Sequence, residues 1–214
     1  MRRILTILAA LALALPTAVF ATSSIDYGNN GGTLAVSGGA LVLSGSDLIS
    51  IRPIPGGTLI AGTLGSVSFT TGALASGSLS GAGVCSPGTF SCVVATFAAG
   101  GTFTITGNGM NGAPNGVIFK GTFTQADWTL RTLSDGTHSY MFTGELTGTN
   151  ASGFTSTDDM SWQGTVNTGK GYFDGIVDLS SGDTNLVTPE PGSLGLLGTG
   201  LIGLAGVVRR KLRS

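Results

Sequence analysis

Residues able to carry out catalysis are few in this chain, and their spacing fits no known catalytic arrangement. His138 is the only histidine, and the chain contains no Gly-x-Ser-x-Gly motif that would supply it with a nucleophile. A histidine just after the turn sequence Asp135-Gly136 is typical of a solvent-facing side chain. The sequence therefore predicts no catalytic residue, and general-base catalysis by His138 stays an alternative.

Acidic side chains offer two further kinds of chemistry. A glycosidase needs two carboxyl groups roughly 5–9.5 Å apart, whereas Asp174 and Asp178 on one predicted strand would lie about 13 Å apart. Hydrolysis by carboxylates from different strands stays an alternative. Calcium binding is the second kind of chemistry, because several aspartates lie near predicted loops whose carbonyl oxygens could complete a site. They are Asp158, Asp159, Asp174, Asp178 and Asp183. Their spacing is not that of an EF-hand, and no metal and no cofactor is predicted.

Nucleotide and nucleic-acid binding are both disfavoured. The stretch from Gly107 to Gly112 matches the dinucleotide fingerprint Gly-x-Gly-x-x-Gly, but Ala113-Pro114 follows where a phosphate-binding helix would have to begin. The body of the chain, residues 22–188, contains four Lys and Arg residues against ten Asp and Glu residues, a net charge of −6. Binding to phosphates needs clustered cations, so no nucleic-acid partner is expected.

Carbohydrate recognition needs an exposed aromatic ring. Trp128 and Trp162 share their predicted strand faces with apolar residues, so we expect both to pack inside. Tyr172 shares its predicted face with Asp174 and Asp178, which makes it the best candidate for a carbohydrate contact on the surface.

The two cysteines, Cys85 and Cys92, flank the sequence Ser-Pro-Gly-Thr-Phe-Ser. In an exported chain, a close even pair around a Pro-Gly turn predicts a disulfide. A free thiol pair and half of a metal site are the alternatives, but the single histidine leaves a metal without further ligands.

The body shows alternation of apolar and polar residues with period two and no helical periodicity. The predicted strands cover 33–37, 40–44, 47–51, 57–61, 64–70, 92–97, 101–107, 116–125, 127–133, 137–147, 160–167 and 172–179. Short strands at this density, separated by glycine-rich turns, predict an all-β domain. We expect an antiparallel β-sandwich or a jelly-roll-like double sheet over residues 22–188.

One pattern recurs in the second half of the body: an aromatic residue, a glycine two positions later and an apolar residue two positions after that. It occurs at 119–123, 142–146, 162–166 and 173–177. These positions lie on one face of a strand, and the glycine leaves a gap that a neighbouring ring can cover. Four strands are therefore predicted to share one inward face.

The amino terminus has the features of a secretory signal peptide. A cationic Met1-Arg2-Arg3 start precedes an apolar run from Ile4 to Leu15, and small residues lead up to Ala21. Cleavage is predicted after Ala21, so residues 1–21 would be removed during export. An uncleaved anchor is the alternative.

The carboxyl terminus has three parts in a fixed order. Pro189-Glu190-Pro191 is followed by an uncharged run from 192 to 208, predicted to form one transmembrane helix. The basic residues that would stay in cytoplasmic water and stop transfer are Arg209, Arg210, Lys211 and Arg213. Seventeen residues give only about 25 Å of helix, which suits a temporary anchor. A permanent anchor is the alternative.

Residues 189–214 resemble the PEP-CTERM sorting signal of exosortase substrates in Gram-negative bacteria. The resemblance implies transient anchoring in the inner membrane after signal peptidase has removed the signal peptide. A membrane protease of the exosortase type would next cut near Pro189, Glu190 and Pro191 and deliver the body to the cell surface or outside the cell. Proteins with this signal are associated with exopolysaccharide and biofilm matrix, which makes exopolysaccharide a possible partner.

From the sequence we expect a non-enzymatic surface or extracellular-matrix protein. The alternative is a carbohydrate-binding β-sandwich module, and a glycoside hydrolase is a further one. An ice-binding protein is a third alternative, because similar tails occur on proteins described as ice-binding. Two predicted strands also carry rows of threonine, namely Thr102, Thr104, Thr106, Thr122 and Thr124.

Overall fold

The computed structural model describes residues 23–188 except 82–84, 86–89, 152 and 154. The predicted signal peptide with Ala21 and the whole predicted sorting signal from Pro189 onward lie outside the described residues. In the described part of the chain, no helix is long and apolar enough to cross a membrane. Residues Ser24–Thr188 form one compact unit.

Twelve strands make up this unit. They are β1 (Ser23–Asn30), β2 (Thr33–Ser37), β3 (Ala40–Ile54), β4 (Ile60–Thr71), β5 (Leu74–Gly77), β6 (Ser91–Phe97), β7 (Gly100–Asn108), β8 (Asn115–Thr132), β9 (His138–Asn150), β10 (Thr155–Gly169), β11 (Ile176–Asp178) and β12 (Ser181–Thr188). Three pairs of predicted strands are single long strands, namely β3, β4 and β8. Their ladders continue through register shifts, as between Leu43 and Ser46, where Gly45 has a φ of 68°.

Eight of the strands close into an antiparallel barrel. Their order is β1-β12-β10-β9-β8-β7-β4-β3, and β1 pairs back onto β3 with Ser24 opposite Ile54 and Asn30 opposite Asp47. The predicted all-β antiparallel class is confirmed, whereas the predicted sandwich or double sheet is wrong. The physical reason is that β1 and β12, which the alternation of apolar residues did not reveal, join the two edges that a sandwich would leave open.

The remaining strands lengthen the wall at one end of the barrel. The first part of β3 pairs with β2, which pairs with β11, and the second part of β8 pairs with β6, which pairs with β5. The long strands therefore change partners along their length, and the sheet continues beyond the closed ring.

Aromatic rings fill the barrel interior. Phe69 lies among four of them, with ring centroids 6.2 Å from Phe103, 5.4 Å from Phe123, 5.3 Å from Phe142 and 4.7 Å from Trp162. Trp128 and Trp162 are fully buried, which confirms the expectation that both pack inside. The closed ring thus has a solid core, in which offset and edge-to-face ring pairs add to the burial of apolar surface.

The recurring glycine pattern is confirmed for three of its four copies. Trp128, Phe142, Gly164 and Gly182 form one row across β8, β9, β10 and β12. In the next row, Ala126, Gly144, Trp162 and Thr184, large and small residues exchange places. Gly144 and Gly164 thereby make room for neighbouring rings. The fourth copy is different, because residues 173–175 are not in a strand and β11 pairs with β2 instead.

A small polar group sits inside the barrel where β1 closes it. The Asn29 side chain is buried, its Nδ2 donates to Ser46 Oγ at 2.7 Å, and its Oδ1 accepts from Trp162 Nε1 at 3.3 Å. A side chain at Gly182 would collide with this amide. These hydrogen bonds link β1 to β3 and β10. They compensate for the cost of burying the Asn29 amide, and they favour β1 in its place as the strand that closes the barrel.

The barrel has two distinct ends. Directions alternate around the closed ring, so the start of β1 and the finish of β12 lie at the same end as the connections 55–59 and 109–114. We call this the terminal end. The other, the distal end, has the connections 133–137 and 170–175 and Phe90, whose carbonyl accepts from Thr132 N at 2.9 Å.

Candidate functional site

At the distal end, a buried phenylalanine anchors the connection between β10 and β11. Phe173 packs edge-on to Trp128 at 5.4 Å, and its backbone N donates to Tyr140 Oη at 3.1 Å. Tyr140 Oη donates in turn to the carbonyl of Gly81, also at 3.1 Å. Burial raises the pKa of Tyr140, so this hydroxyl keeps its proton. The connection is therefore held against the barrel.

Tyr172 lies outside because its neighbour Phe173 is anchored inside. Its side chain is 46% exposed, and its ring stacks on His138 with centroids 4.2 Å apart and planes 20° apart. His138 is only 8% exposed, so the expectation of a solvent-facing histidine is wrong. The physical reason is that the loop after β10 folds back over the β8–β9 turn, a long-range contact that local turn sequence does not reveal.

The imidazole beneath Tyr172 is positioned by one hydrogen bond. His138 Nδ1 and Thr132 Oγ1 lie 3.1 Å apart. Within the described part of the chain, Nε2 has no hydrogen-bond partner. That nitrogen can donate to or accept from a ligand hydroxyl, depending on the tautomer. The site thus combines an open aromatic face with a nearby polar group.

Phe90 is a second exposed ring at this end, and no sequence pattern predicted it. It is 54% exposed, and the guanidinium carbon of Arg131 lies 5.4 Å from its ring centroid. Phe90 belongs to the loop closed by the Cys85–Cys92 disulfide, whose Cα atoms are 5.9 Å apart. The predicted disulfide is confirmed. An aromatic residue inside a short disulfide loop was the available signal, because such a residue cannot reach the core easily.

The backbone and side-chain contacts connect the two rings. Thr132 bonds Phe90 through its backbone N and His138 through its hydroxyl, and His138 stacks on Tyr172. Aromatic faces can stack on the C–H faces of sugar rings, and polar groups beside them fix orientation. This arrangement suits a polyhydroxylated ligand lying across the distal end.

The predicted acidic pair has a different geometry from the one expected. Asp174 lies in the connection before β11 and Asp178 ends β11, so they do not share one strand. The side chains of Asp158 and Asp159 are outside the described residues. Among the described residues, no three His, Cys, Asp or Glu side chains group closely enough to hold a metal ion.

Two carboxyl groups do meet, on the neighbouring strands β1 and β12. Burial, together with the hydrogen-bonded Asp26 carboxyl beside it, raises the pKa of Asp183 to about 7. Arg52 on β3 is opposite Asp26 in register. Hydrogen-bonded carboxyls are closer together than the two acids of a glycosidase, so this pair does not support glycoside hydrolysis.

The last strand leads directly to the carboxyl-terminal signal. β12 ends at Thr188, and the family model for the PEP-CTERM protein-sorting motif matches residues 187–211. The chain carries a PEP-CTERM sorting motif. The suspected resemblance is confirmed, and the motif implies export and processing by an exosortase, a membrane protease, on the way to the cell surface in Gram-negative bacteria. No curated protein and no solved structure matches the PEP-CTERM chain.

Proposed function

We propose that the sorted body is a non-enzymatic component of the cell surface or the extracellular matrix. The observation that carries the proposal is the PEP-CTERM motif joined directly to a barrel with a solid aromatic core. Rings such as Phe69, Phe123 and Trp162 occupy the space where a ligand-binding barrel would hold its ligand. Recognition is then left to the outer surface and to the ends.

Fractionation of the producing cells tests this proposal. We expect the processed body to sediment with the exopolysaccharide of an undisturbed biofilm and to be released when that polysaccharide is degraded enzymatically. An outer-membrane protein followed in the same fractions is the control for incomplete cell removal. A processed body found only in the periplasm, with none in the surface or matrix fractions, would contradict the proposal.

A second candidate is a carbohydrate-binding module, and the distal end favours it. Tyr172 offers one ring face to solvent while His138 holds the other, so the platform is already ordered before a ligand arrives. An ordered platform loses little conformational entropy on binding. Phe90 and Arg131 extend the same surface. We therefore assign the candidate sugar contact to Tyr172, with His138 and Phe90 beside it.

Affinity electrophoresis in gels containing the producer's own exopolysaccharide tests this second candidate. We expect the processed protein to be retarded and Tyr172→Ala to weaken binding about tenfold, because a lost ring contact costs about 1.4 kcal/mol. Tyr172→Phe keeps the ring and should bind nearly normally. Met110→Ala, an exposed residue at the terminal end, is the matched control. Retardation that is unchanged in Tyr172→Ala would exclude this site.

A further inference from the structure

The terminal end is the part of the barrel from which the chain continues toward the membrane signal. β12 finishes there at Thr188, and only Pro189-Glu190-Pro191 precede the uncharged run that begins at Gly192. The four residue steps from Thr188 to Gly192 span at most about 14 Å. A chain anchored by that run therefore keeps Thr188 within about 14 Å of the point where the run begins.

Four exposed apolar side chains lie at this end, although the distal end also has exposed apolar side chains. Leu59 is 51% exposed and Met110 is 55% exposed, and Ile54 and Val117 are exposed as well. The two connections that carry Leu59 and Met110 are neighbours, because Asn108 Nδ2 donates to the carbonyl of Thr63 at 2.9 Å. All four side chains therefore lie on the strand ends and connections of the terminal end.

The connections at the two ends differ in charge, although Asp26 and Arg52 lie on the strands β1 and β3 near the terminal end. The connections 55–59 and 109–114 contain no charged residue, and the sequence has none at all from Pro53 to Phe119. At the distal end, the connections carry Asp135, Lys170 and Asp174. A surface that approaches the apolar part of a bilayer must avoid charges, because each one loses its hydration there.

We propose that the terminal end rests on the lipid bilayer while the chain is anchored, with Ile54, Leu59, Met110 and Val117 inserted among the lipid headgroups. The proposal rests on the sorting role of the tail and is independent of the matrix function. Apolar side chains at the bilayer interface would hold the barrel upright. The Pro-Glu-Pro sequence would then lie at the membrane surface, and the distal end with Tyr172 would point away from it.

An environment-sensitive fluorophore on Leu59→Cys tests the proposal. The described cysteines are both in the disulfide, so an added cysteine is labelled selectively in the oxidised protein. The full-length chain is reconstituted into phosphatidylcholine vesicles with and without nitroxide-labelled lipid. We expect a blue-shifted emission that the nitroxide lipid quenches, because the probe at position 59 lies among headgroups.

Leu133→Cys is the matched control, since Leu133 is also an exposed leucine but lies at the distal end. We expect its probe to emit as in water and to escape quenching. Equal emission and equal quenching at the two positions would overturn the proposal. A blue shift at position 59 without lipid quenching would overturn it in favour of contact with a second copy. Release of the full-length chain by alkaline carbonate would overturn its premise, that the tail is membrane-anchored.

Discussion

Gly144→Val is expected to destabilise the protein by about 3 kcal/mol, at the upper end of the usual cost of overpacking a core. A Cβ atom at this position would come within 2.5 Å of the Phe123 ring and 3.1 Å of the Phe142 ring. Contacts this short cannot persist, so the rings or the β9 backbone must move. Valine adds two further methyl groups to the same space.

The neighbouring rings cannot move cheaply. Phe123 is in contact with Phe69, Phe103 and Phe142, at centroid distances of 5.4, 5.9 and 5.6 Å. Displacing it would disturb the group of rings at the centre of the barrel. Dense interiors transmit such strain rather than absorb it, which is why we expect a large effect.

Urea unfolding of the processed protein, followed by the fluorescence of Trp128 and Trp162, measures this effect. Thr143→Val is the matched control, because Thr143 is the adjacent residue of β9 and points to the other face of the sheet. We expect the control to remain within about 0.5 kcal/mol of the wild type. Equal unfolding free energies for the two variants would contradict the packing described for Gly144.

Replacing Pro189, Glu190 and Pro191 together by alanine is expected to block release of the body almost completely. The uncharged run and the basic cluster at 209–213 are unchanged in this variant, so the chain would still enter and stall in the inner membrane. Without the sequence at which the protease acts, the full-length form should accumulate there. Immunoblots of membrane and culture fractions measure the ratio. Glu145→Ala, an exposed glutamate in the barrel, is the control and should be processed normally.

The strand content of this fold could be predicted from the sequence, but its closure could not. Alternation identified β7 and the inward faces of β8, β9 and β10, because each of these strands is buried on one side only. β1 and β12 escaped detection since their inward positions include Asn29, Gly182 and Thr184. The burial of Asn29 is compensated by hydrogen bonds to Ser46 and Trp162 on other strands, which no local pattern encodes.

The candidate site was predictable only in part. Tyr172 was identified as the exposed aromatic residue, but the expected strand beginning at 172 is a loop, and its partner His138 was expected in solvent. The contact between them joins the start of β9 to a connection 34 positions later in sequence. Phe90 joins the same surface through the disulfide loop. The sorting motif, by contrast, is a continuous stretch of residues, so the sequence alone was sufficient to identify it.

The most direct test of the sorting account is the intact mass of the protein recovered from the cell surface or the culture medium. The account predicts a chain that begins at Thr22, ends close to Pro189 and has a mass two hydrogens lower than the reduced form, because Cys85 and Cys92 are joined. A surface or secreted protein that still extends to Ser214 would contradict it.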